Sequence, residues 1–467
     1  MSEVKVPEGY KQTEVGVIPK DWEIKPLGAV VKENRISSGL YKDKNSYGSG
    51  TSIIKLGDVF SNDIFNPNSV QKVEADEAEI QRYKIKVGDL IVALASVKLE
   101  GVGKVMHVTT LEDETIFDHN VALIRTTESI NSYFLSYTFK SNYIRSMIAS
   151  KATQVGTTFL KSSTILQFNI ILPTYEEQTA IANALSDIDD LIGSLEKLIA
   201  KKEAIKTATM QQLLTGKTRL PEFATREDGS VKGFKQTELG RIPEDWQIKS
   251  YADIFTFLST SSNSRADLSN SGDYGYIHYG DIHTKWHTRL DLSKTSLPKI
   301  SENLVTSAFV QHGDIVIADA SEDYEGVGKS IELSNQSSNP VVSGLHTFLL
   351  RDKNEQLSDG FRGLINDIPV VKASIQRLAT GLKVYGISKK NLMTVMIPFP
   401  HKKEQTAIAT ILSDMDAEIQ VLQQRLEKTK DIKQGMMQQL LTGKVRLLDS
   451  SAKSDIQTLA SKGELQA

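Results

Sequence analysis

The sequence contains an internal duplication. GYKQTEVGVIPKDWEIK at residue 9 returns as GFKQTELGRIPEDWQIK at residue 233, so that Trp22 matches Trp246, 224 positions later. EEQTAIANALSDIDDLI at residue 176 returns as KEQTAIATILSDMDAEI at residue 403, and QQLLTGKTRL at 211 returns as QQLLTGKVRL at 438, both at an offset of 227. A repeat this long indicates a duplicated domain, because solenoid repeats have periods of about 20–50 residues.

Between these blocks the copies diverge and keep only a skeleton. KLGDVF around Gly57 corresponds to YGDIH around Gly280. The segment EGVGK ends at Lys104 in the first copy and at Lys329 in the second. A shared skeleton with different loops indicates one fold used twice for two different ligands.

The first part of each copy reads as short strands separated by polar turns. The apolar run 87–95 returns at 314–320, and helical patterns lie near 130–149 and 358–378. This mixture predicts an α+β fold.

The second part of each copy predicts a long helix. Its apolar residues alternate in steps of four and three, which is the heptad seam of a coiled coil. They are Ile181, Leu185, Ile188, Ile192, Leu195 and Ile199 in the first copy, and Ile408, Leu412, Met415, Ile419, Leu422 and Leu426 in the second. One such helix could equally belong to the core of its own domain, but two matching seams in one chain favour antiparallel pairing about a pseudo-twofold axis. About 40 residues would give a rod on the order of 60 Å.

The ends of these helices carry capping signals. Thr174 and Glu177 form a capping-box pattern, which His401 weakens in the second copy. Gly216 and Gly443 suit the left-handed position that follows a helix.

Catalytic motifs are missing from the sequence. There are no cysteines, which excludes disulfides, cysteine-ligated zinc and thiol catalysis. The Asn/Asp-Pro-Pro-aromatic loop of adenine methyltransferases is absent, and GVGKS at 326–330 has Asp323 where a phosphate loop needs its first glycine. His278, His283 and His287 have no counterparts in the first copy. We therefore expect no catalytic residue, no metal site and no cofactor bound by this chain.

The composition does not decide whether this protein binds DNA or another partner. The net charge of −3 and the pI of about 6.3 are unlike those of a protein that holds DNA alone through general basicity. Either a DNA surface is local, or partners share the binding, or DNA is not the target. The N-terminus has no apolar core and no stretch approaches 18 apolar residues, so a cytoplasmic protein is expected.

Base reading needs Arg, Lys, Asn, Gln and hydroxyl side chains on loops, and the polar loops of both copies supply candidates. In the first copy the DNA-binding candidates are Arg35, Tyr41, Lys42, Lys44, Ser96, Lys98, Thr157, Thr158 and Lys161. In the second copy they are Ser262, Asn263, Arg265, Lys285, Trp286, Tyr324, Lys383 and Tyr385.

The repeated EQTAIA..LSD.D block, the QQLLTGK.RL helix end and the G.KQTE.G.IP.DW opening resemble the specificity subunit of type I restriction–modification enzymes, over nearly the whole chain. The resemblance implies two target recognition domains, each reading one part of a split, asymmetric DNA sequence, and two helices that set the spacer between the parts. On this interpretation the chain divides into a first recognition domain at 1–173, a helix at 174–220, a linker with the second recognition domain at 221–400, a second helix at 401–447 and a poorly ordered tail at 448–467.

The resemblance also implies partner subunits. Two modification subunits, which bind S-adenosylmethionine and methylate adenine, would dock on this chain, and translocating restriction subunits would join them. The candidate docking residues are Gln178, Asp187, Gln405 and Asp414.

Two other interpretations remain at this point. A scaffold with two protein- or sugar-binding modules on a coiled-coil spacer would not bind duplex DNA even with its partners. An enzyme with an unrecognised active site would show catalysis by the isolated chain.

Overall fold

A computed structural model describes residues 6–447 of the chain, so the tail predicted at 448–467 lies outside the described residues. Two compact units make up the structure. The first unit contains the chain up to Glu196 and again from Arg425, and the second unit contains Lys197–Gln424.

Within the described residues, the first unit combines short strands with short helices, the start of one long helix and the end of another. The strands are β1 Tyr10–Thr13, β2 Gly16–Pro19, β3 Glu23–Pro26, β4 Ser37–Ser38, β5 Tyr47–Ile54, β6 Gln71–Val73, β7 Leu90–Ala93, β8 Ala95–Ser96, β9 Val105–His107, β10 Thr115–Phe117, β11 Val121–Ile124, β12 Thr153–Val155, β13 Thr157–Phe159 and β14 Asn169–Leu172. The helices are α1 Leu56–Ser61, α2 Glu77–Tyr83, α3 Ser132–Lys140, α4 Asn142–Lys151, α5 Ser162–Leu166 and α6 Tyr175–Leu214.

The predicted apolar run at 87–95 forms β7, in the interior of the sheet β4-β11-β7-β9. Because successive side chains of a strand point to opposite faces, Leu90 and Val92 enter one core with Trp22, while Ile91 and Ala93 enter another. Burial on both faces explains why residues 90–93 are all apolar.

The second unit repeats this arrangement. Its strands are β15 Phe234–Thr237, β16 Gly240–Pro243, β17 Gln247–Ser250, β18 Phe255–Leu258, β19 Tyr274–Ile277, β20 Arg289–Asp291, β21 Lys299–Ile300, β22 Ile315–Ala318, β23 Ala320–Ser321, β24 Ser330–Ser334, β25 Val341–Ser343, β26 Thr347–Asp352, β27 Tyr385–Gly386 and β28 Met396–Phe399. Its helices are α7 Pro221–Ala224, α8 Tyr251–Ile254, α9 Tyr279–Thr284, α10 Pro369–Leu378, α11 Lys389–Met393 and the long α12 Lys402–Leu440.

The counterpart of β7 in the second unit is β22, in the interior of the sheet β18-β26-β22-β24-β20. It divides its side chains in the same way: Ile315 and Ile317 enter one core, and Val316 and Ala318 enter another.

The helices that form in the predicted helical stretches near 130–149 and 358–378 are shorter than the sequence indicates. Ser141 interrupts the first pattern, because its extended backbone (ψ 147°) ends α3 and its hydroxyl caps α4 by accepting from the amide of Ile144. The second pattern holds a 3₁₀ segment at Arg362–Asp367 before α10 begins at Pro369, since proline fits the first turn of a helix and not its interior.

The long helices α6 and α12 have 40 and 39 residues. In the first unit Lys433 pairs with Asp189, and Lys430 Nζ lies 3.4 Å from Glu196 Oε1. In the second unit Lys202 Nζ lies 2.6 Å from Glu418 Oε1, and Lys206 pairs with Asp416. In both units the partner's number falls as the residue number rises, so the predicted antiparallel pairing is confirmed.

Each long helix also enters globular cores. Ile181 and Leu185 of α6 pack with Met437 and Leu440 of α12 in the core of the first unit. The end of α6, at Leu214, lies in the core of the second unit. The paired-helix and core-helix interpretations of the seam are therefore both correct, at different points along the helix.

The capping predictions hold in part. Gly216 and Gly443 adopt the predicted left-handed conformation, with φ of 67° and 69°. The hydroxyl of Thr174 accepts from the amide of Glu177 at 3.3 Å. The Glu177 side chain does not complete the capping box, because its oxygens accept hydrogen bonds from Trp22 and Arg446.

The predicted α+β class, with two tandem mixed α/β domains and two long helices, is confirmed. Within residues 6–447 no helix is both long and apolar enough to cross a membrane.

Candidate nucleic-acid interface

In the first unit, a three-stranded sheet of order β12-β13-β8 gathers one group of the predicted DNA contacts. Strand β13 follows β12 through a turn at Gly156, and β8 leads into the loop 97–101. Lys98, Thr157 and Lys161 are exposed around this sheet. The fold thus brings residues about 60 positions apart in the sequence onto one surface.

Two predicted contacts of this group are buried. Ser96 and Thr158 are paired across β8 and β13, and their side chains are 9 % and 1 % exposed. Both positions point into the unit, because alternate residues of a strand face opposite sides. Without rearrangement, neither side chain can reach a base edge.

The second unit places Tyr324, Lys383 and Tyr385 in the corresponding position. Strand β23 pairs with β27, so that Ser321 lies opposite Tyr385. The Tyr324 and Tyr385 rings meet edge to face, with their centroids 5.4 Å apart. Three residues predicted separately therefore form one surface.

The remaining first-unit candidates lie on a separate segment before β5. Arg35, Tyr41 and Lys44 are exposed there. Lys42 is half-buried, and its Nζ lies 2.8 Å from Glu79 Oε2. Its charge is thus already paired within the chain.

Two of the remaining second-unit candidates, Arg265 and Lys285, pair with Asp281, which is 2 % exposed. Arg265 Nη2 lies 2.9 Å from Asp281 Oδ1, and Lys285 Nζ lies 3.1 Å from the same oxygen. Burial raises the pKa of Asp281, but hydrogen bonds from Arg265 and Lys285 outweigh burial, so the pKa lies below its usual value. Ser262 and Asn263 shortly precede Arg265 in the sequence. Ser262 is exposed, and Asn263 is half-buried.

Trp286 and Lys285 line a groove of about 690 Å³ in the second unit, together with Lys206 of α6 and Asp416 of α12. These two candidates therefore face the helix pair as well as solvent. Within residues 6–447 no three His, Asp or Glu side chains are grouped to hold a metal ion.

Beside the helix pair, each unit contains a cluster centred on a buried glutamate. In the first unit, Glu177 is 0 % exposed and accepts from Trp22 Nε1 at 2.8 Å. The Arg446 guanidinium binds Glu177 through Nε and Nη2, and binds Asp21 through Nη1 and Nη2, all at 2.7–2.8 Å. We call these four residues the first clasp.

The second clasp has the same form. Glu404 is 2 % exposed and accepts from Trp246 Nε1 at 2.9 Å. Arg219 binds Glu404 at 2.7–2.8 Å and Asp245 at 2.9–3.1 Å. Both tryptophans are fully buried.

The clasps shift the pKa values of their members. Hydrogen bonds to Glu177 and Asp21 raise the pKa of Arg446, and the hydrogen bond from Arg446 lowers the pKa of Asp21. Burial raises the pKa of Asp245, but hydrogen bonds from Lys232 and Arg219 bring it below its ordinary value. Each unit thus holds a charged network formed in the same way.

This duplicated geometry coincides with a duplicated family match. The model of the type I restriction–modification DNA specificity domain matches residues 19–206 and again 243–430, which is more than half of the chain. The chain belongs to this family.

Relatives and solved structures agree with the match. A Methanocaldococcus jannaschii protein, named for the MjaX type I restriction enzyme specificity subunit, is 26 % identical over 94 % of this chain and 97 % of its own length. The MjaVIII specificity subunit of the same organism is 26 % identical over 70 % of this chain and 73 % of its own length.

Among solved structures, a chain from a type I restriction–modification assembly covers 91 % of this chain and 99 % of its own length, with a TM-score of 0.54 and 14 % identity. The specificity subunit of M. genitalium covers 94 % and 98 %, with a TM-score of 0.50 and 13 % identity. At these identities the likeness concerns the fold.

Membership confirms the predicted family and its role. This is a DNA-specificity subunit, which recognises DNA by sequence, and the catalytic activity of such systems lies in other subunits.

Two of the predicted docking residues of the specificity subunit are buried. Gln178 and Gln405 are 1 % and 0 % exposed. Gln178 accepts from the amide of Asn131 at 2.8 Å, and Gln405 accepts from the amide of Ser358 at 2.9 Å. These amides join the long helices to the globular domains, so they are not available to a partner's surface. Asp187 and Asp414 are exposed on α6 and α12.

The clasp arginines are the important residues that sequence reasoning missed. Their signal was present, because Arg219 and Arg446 match at the offset of 227 within the repeated TGK.RL. The sequence predicted Glu177 only as part of a helix cap, and no role was predicted for Asp21. Their common partner lies hundreds of residues away, beyond the reach of any local pattern.

Proposed function

We propose that this specificity subunit reads a bipartite, asymmetric DNA target, one part through each unit, and directs methyltransferase and restriction subunits to it. The observation that carries the proposal is the repetition of the clasp and the central sheet beside loops that differ. At matched positions, the first unit has Lys98 where the second has Asp323, and Thr157 where the second has Val384. Different side chains on the same frame favour two different half-sites.

The charge of the loops supports contact with phosphates. In the first unit Lys98 and Lys161 are exposed, and in the second Lys383, Lys389 and Lys390 are exposed. Lysines on exposed loops supply the sequence-independent part of DNA affinity. The net charge of −3 fits binding that partner subunits share.

We further propose that two modification subunits dock on the chain, with S-adenosylmethionine bound in those subunits, and that restriction and translocase subunits join the assembly. Asp187 and Asp414 are the proposed contacts, because both are exposed on the long helices. Such a complex would act in the cytoplasm, on the DNA of the cell. The paired helices would fix the spacer between the half-sites.

Mapping methylated adenines in cells with and without this chain tests the function. We expect methylation at one split motif, which disappears when the chain is deleted. Exchanging residues 1–173 for the matching part of a relative should change one half of that motif only. A change in both halves, or an unchanged methylation pattern after deletion, would contradict the proposal.

Docking has a separate test. Asp187→Lys and Asp414→Lys together should weaken assembly with the modification subunits and leave the fold intact, because both side chains are exposed. The matched control is Asp431→Lys, which reverses the charge of another exposed aspartate on α12. Equal assembly by all three proteins would place the docking surface elsewhere.

A further inference from the structure

The second unit presents apolar side chains to solvent at a loop tip. Leu382 is 97 % exposed and Val384 is 54 % exposed. Scattered exposed apolar residues are ordinary, but these two flank Lys383 on the loop that also carries Tyr385. The tip therefore lies within the proposed DNA-reading surface.

The corresponding place in the first unit has the same character. Val97 follows β8 and is 79 % exposed, and Phe159 ends β13 and is 44 % exposed. Residues 153–159 match 380–386 at the repeat offset of 227. Both copies thus expose apolar side chains beside the paired strands, although their loop sequences differ.

Backbone hydrogen bonds and an aromatic contact hold the base of the loop that carries Leu382. Thr380 and Gly386 exchange two backbone hydrogen bonds of 2.9 Å, which close the loop. Gly381 has a φ of 143°, and a Cβ there would meet the carbonyl oxygen of Val384 at 1.8 Å. The Tyr324 ring packs against Tyr385 from the neighbouring loop. A closed loop on a packed base can hold a projecting side chain in place.

The charge around the tip favours a nucleic acid over a basic or neutral protein surface. Residues 376–390 contain no Asp or Glu, and Lys383, Lys389 and Lys390 are exposed. The facing loop at 322–325 has three acids, two of which are engaged within the chain. Glu325 Oε2 lies 3.0 Å from Lys372 Nζ, and Asp323 Oδ1 accepts from the amide of Gly326 at 2.6 Å.

We propose that Leu382 is an apolar wedge that enters a base step of the DNA duplex when the second unit reads its half of the target. Apolar side chains on DNA-binding elements insert between base pairs, unstack them and kink the duplex. Lys383 would hold the adjacent phosphate. This inference rests on the proposed DNA-reading function and adds a deformation of the target to it.

The experiment uses the full chain assembled with its modification subunits and a duplex carrying the mapped target. 2-Aminopurine, whose fluorescence rises when it is unstacked, replaces bases one at a time through the second half-site. We expect a rise at one step with the natural chain, and loss of most of that rise with Leu382→Ala. Binding should weaken about ten-fold, because the unstacked step loses its filling side chain. Leu382→Phe should keep the rise.

Leu304→Ala is the matched control, because Leu304 is an exposed leucine (47 %) in the same unit and lies outside the loop that carries Leu382. It should change neither fluorescence nor affinity. The unfolding midpoint of Leu382→Ala should equal that of the natural chain, since a 97 % exposed side chain contributes almost no buried area.

The possible outcomes distinguish failure of the proposed Leu382 wedge from failure of the proposed DNA-reading function. If the natural complex binds its target and no position brightens, or if Leu382→Ala brightens like the natural chain, the wedge is wrong and DNA reading stands. If Leu382→Ala fails to assemble with the modification subunits, the tip is a protein contact and the wedge is again wrong. If the natural complex does not bind duplex at all, both proposals fail.

Discussion

Arg446 Nη2 lies 2.7 Å from Glu177 Oε2, although the two residues are 269 positions apart in the chain. Glu177 also accepts a hydrogen bond from Trp22 Nε1, and Arg446 also binds Asp21. The segment after α12 is therefore built into the unit that begins with the N-terminal strands. The first domain is complete only when both ends of the described chain are present.

Arg446→Ala should destabilise the first unit by about 3 kcal/mol, because it leaves the fully buried carboxylate of Glu177 without its cation. Denaturant unfolding, followed by Trp22 fluorescence with Trp246 and Trp286 replaced by Phe, measures the change. Arg226→Ala is the control, since its partnership with Glu244 joins two exposed side chains and such pairs contribute about 1 kcal/mol or less. Equal losses in the two variants would contradict a structural role for the clasp.

Gln405→Ala should destabilise the second unit by about 2 kcal/mol, because buried groups that lose their partners are costly. The amide of Ser358 would lose its acceptor, and the carbonyl of Pro400 would lose a donor at 2.9 Å. Gln420→Ala, at an exposed position of the same helix, should change stability by about 0.5 kcal/mol or less. Unchanged stability of Gln405→Ala, together with lost assembly, would restore the docking role that burial argues against.

Acid should weaken the first clasp in a defined direction. The pKa of Asp21 is lowered by its hydrogen bond from Arg446, so the folded state binds a proton less readily than the unfolded chain, in which the Asp pKa is about 3.9. The resulting stability is present above that pH and is lost as the pH falls through the lower folded value. The free energy of unfolding of Arg446→Ala should therefore fall less steeply between about pH 5 and pH 2. Parallel curves for the two proteins would argue against the ion pair.

Lengthening the helix pair tests the proposed spacer. One heptad inserted after Glu196 and one inserted before Lys430 should preserve the antiparallel seam, because these residues are paired in the first unit. We expect the methylated motif to gain spacer length while both half-sites stay the same. A single insertion in α6 alone is the control, and it should reduce stability by shifting the register. Altered half-sites in the double insertion would contradict a spacer role.

Much of the fold follows from the sequence because its periodicities are local. The apolar run at 87–95 predicts a strand, and Leu90–Ala93 form β7, whose side chains are all buried. The four-three steps from Ile181 to Ile199 predict a helix that buries one stripe, and α6 extends from Tyr175 to Leu214. The break at Ser141 was not foreseen, since a single capping serine within an apolar pattern is a weak signal.

The site was less accessible to sequence reasoning. Polar loop residues such as Lys98 and Lys383 were found because recognition chemistry favours them, but Ser96 and Thr158 face inward. Which side of a two- or three-residue strand is buried depends on the strand it pairs with, and that partner lies about 60 residues away.

By itself, the sequence determined the duplication, the family, the long helices with their glycine ends and the absence of known catalytic motifs, because each is a pattern of neighbouring or regularly repeated residues. Only the tertiary structure decided that Arg446 and Arg219 close the clasps, that Gln178 and Gln405 are internal, and that Leu382 projects from a closed loop. Those outcomes depend on contacts between distant segments, whose free energy is gained only when the whole chain is folded.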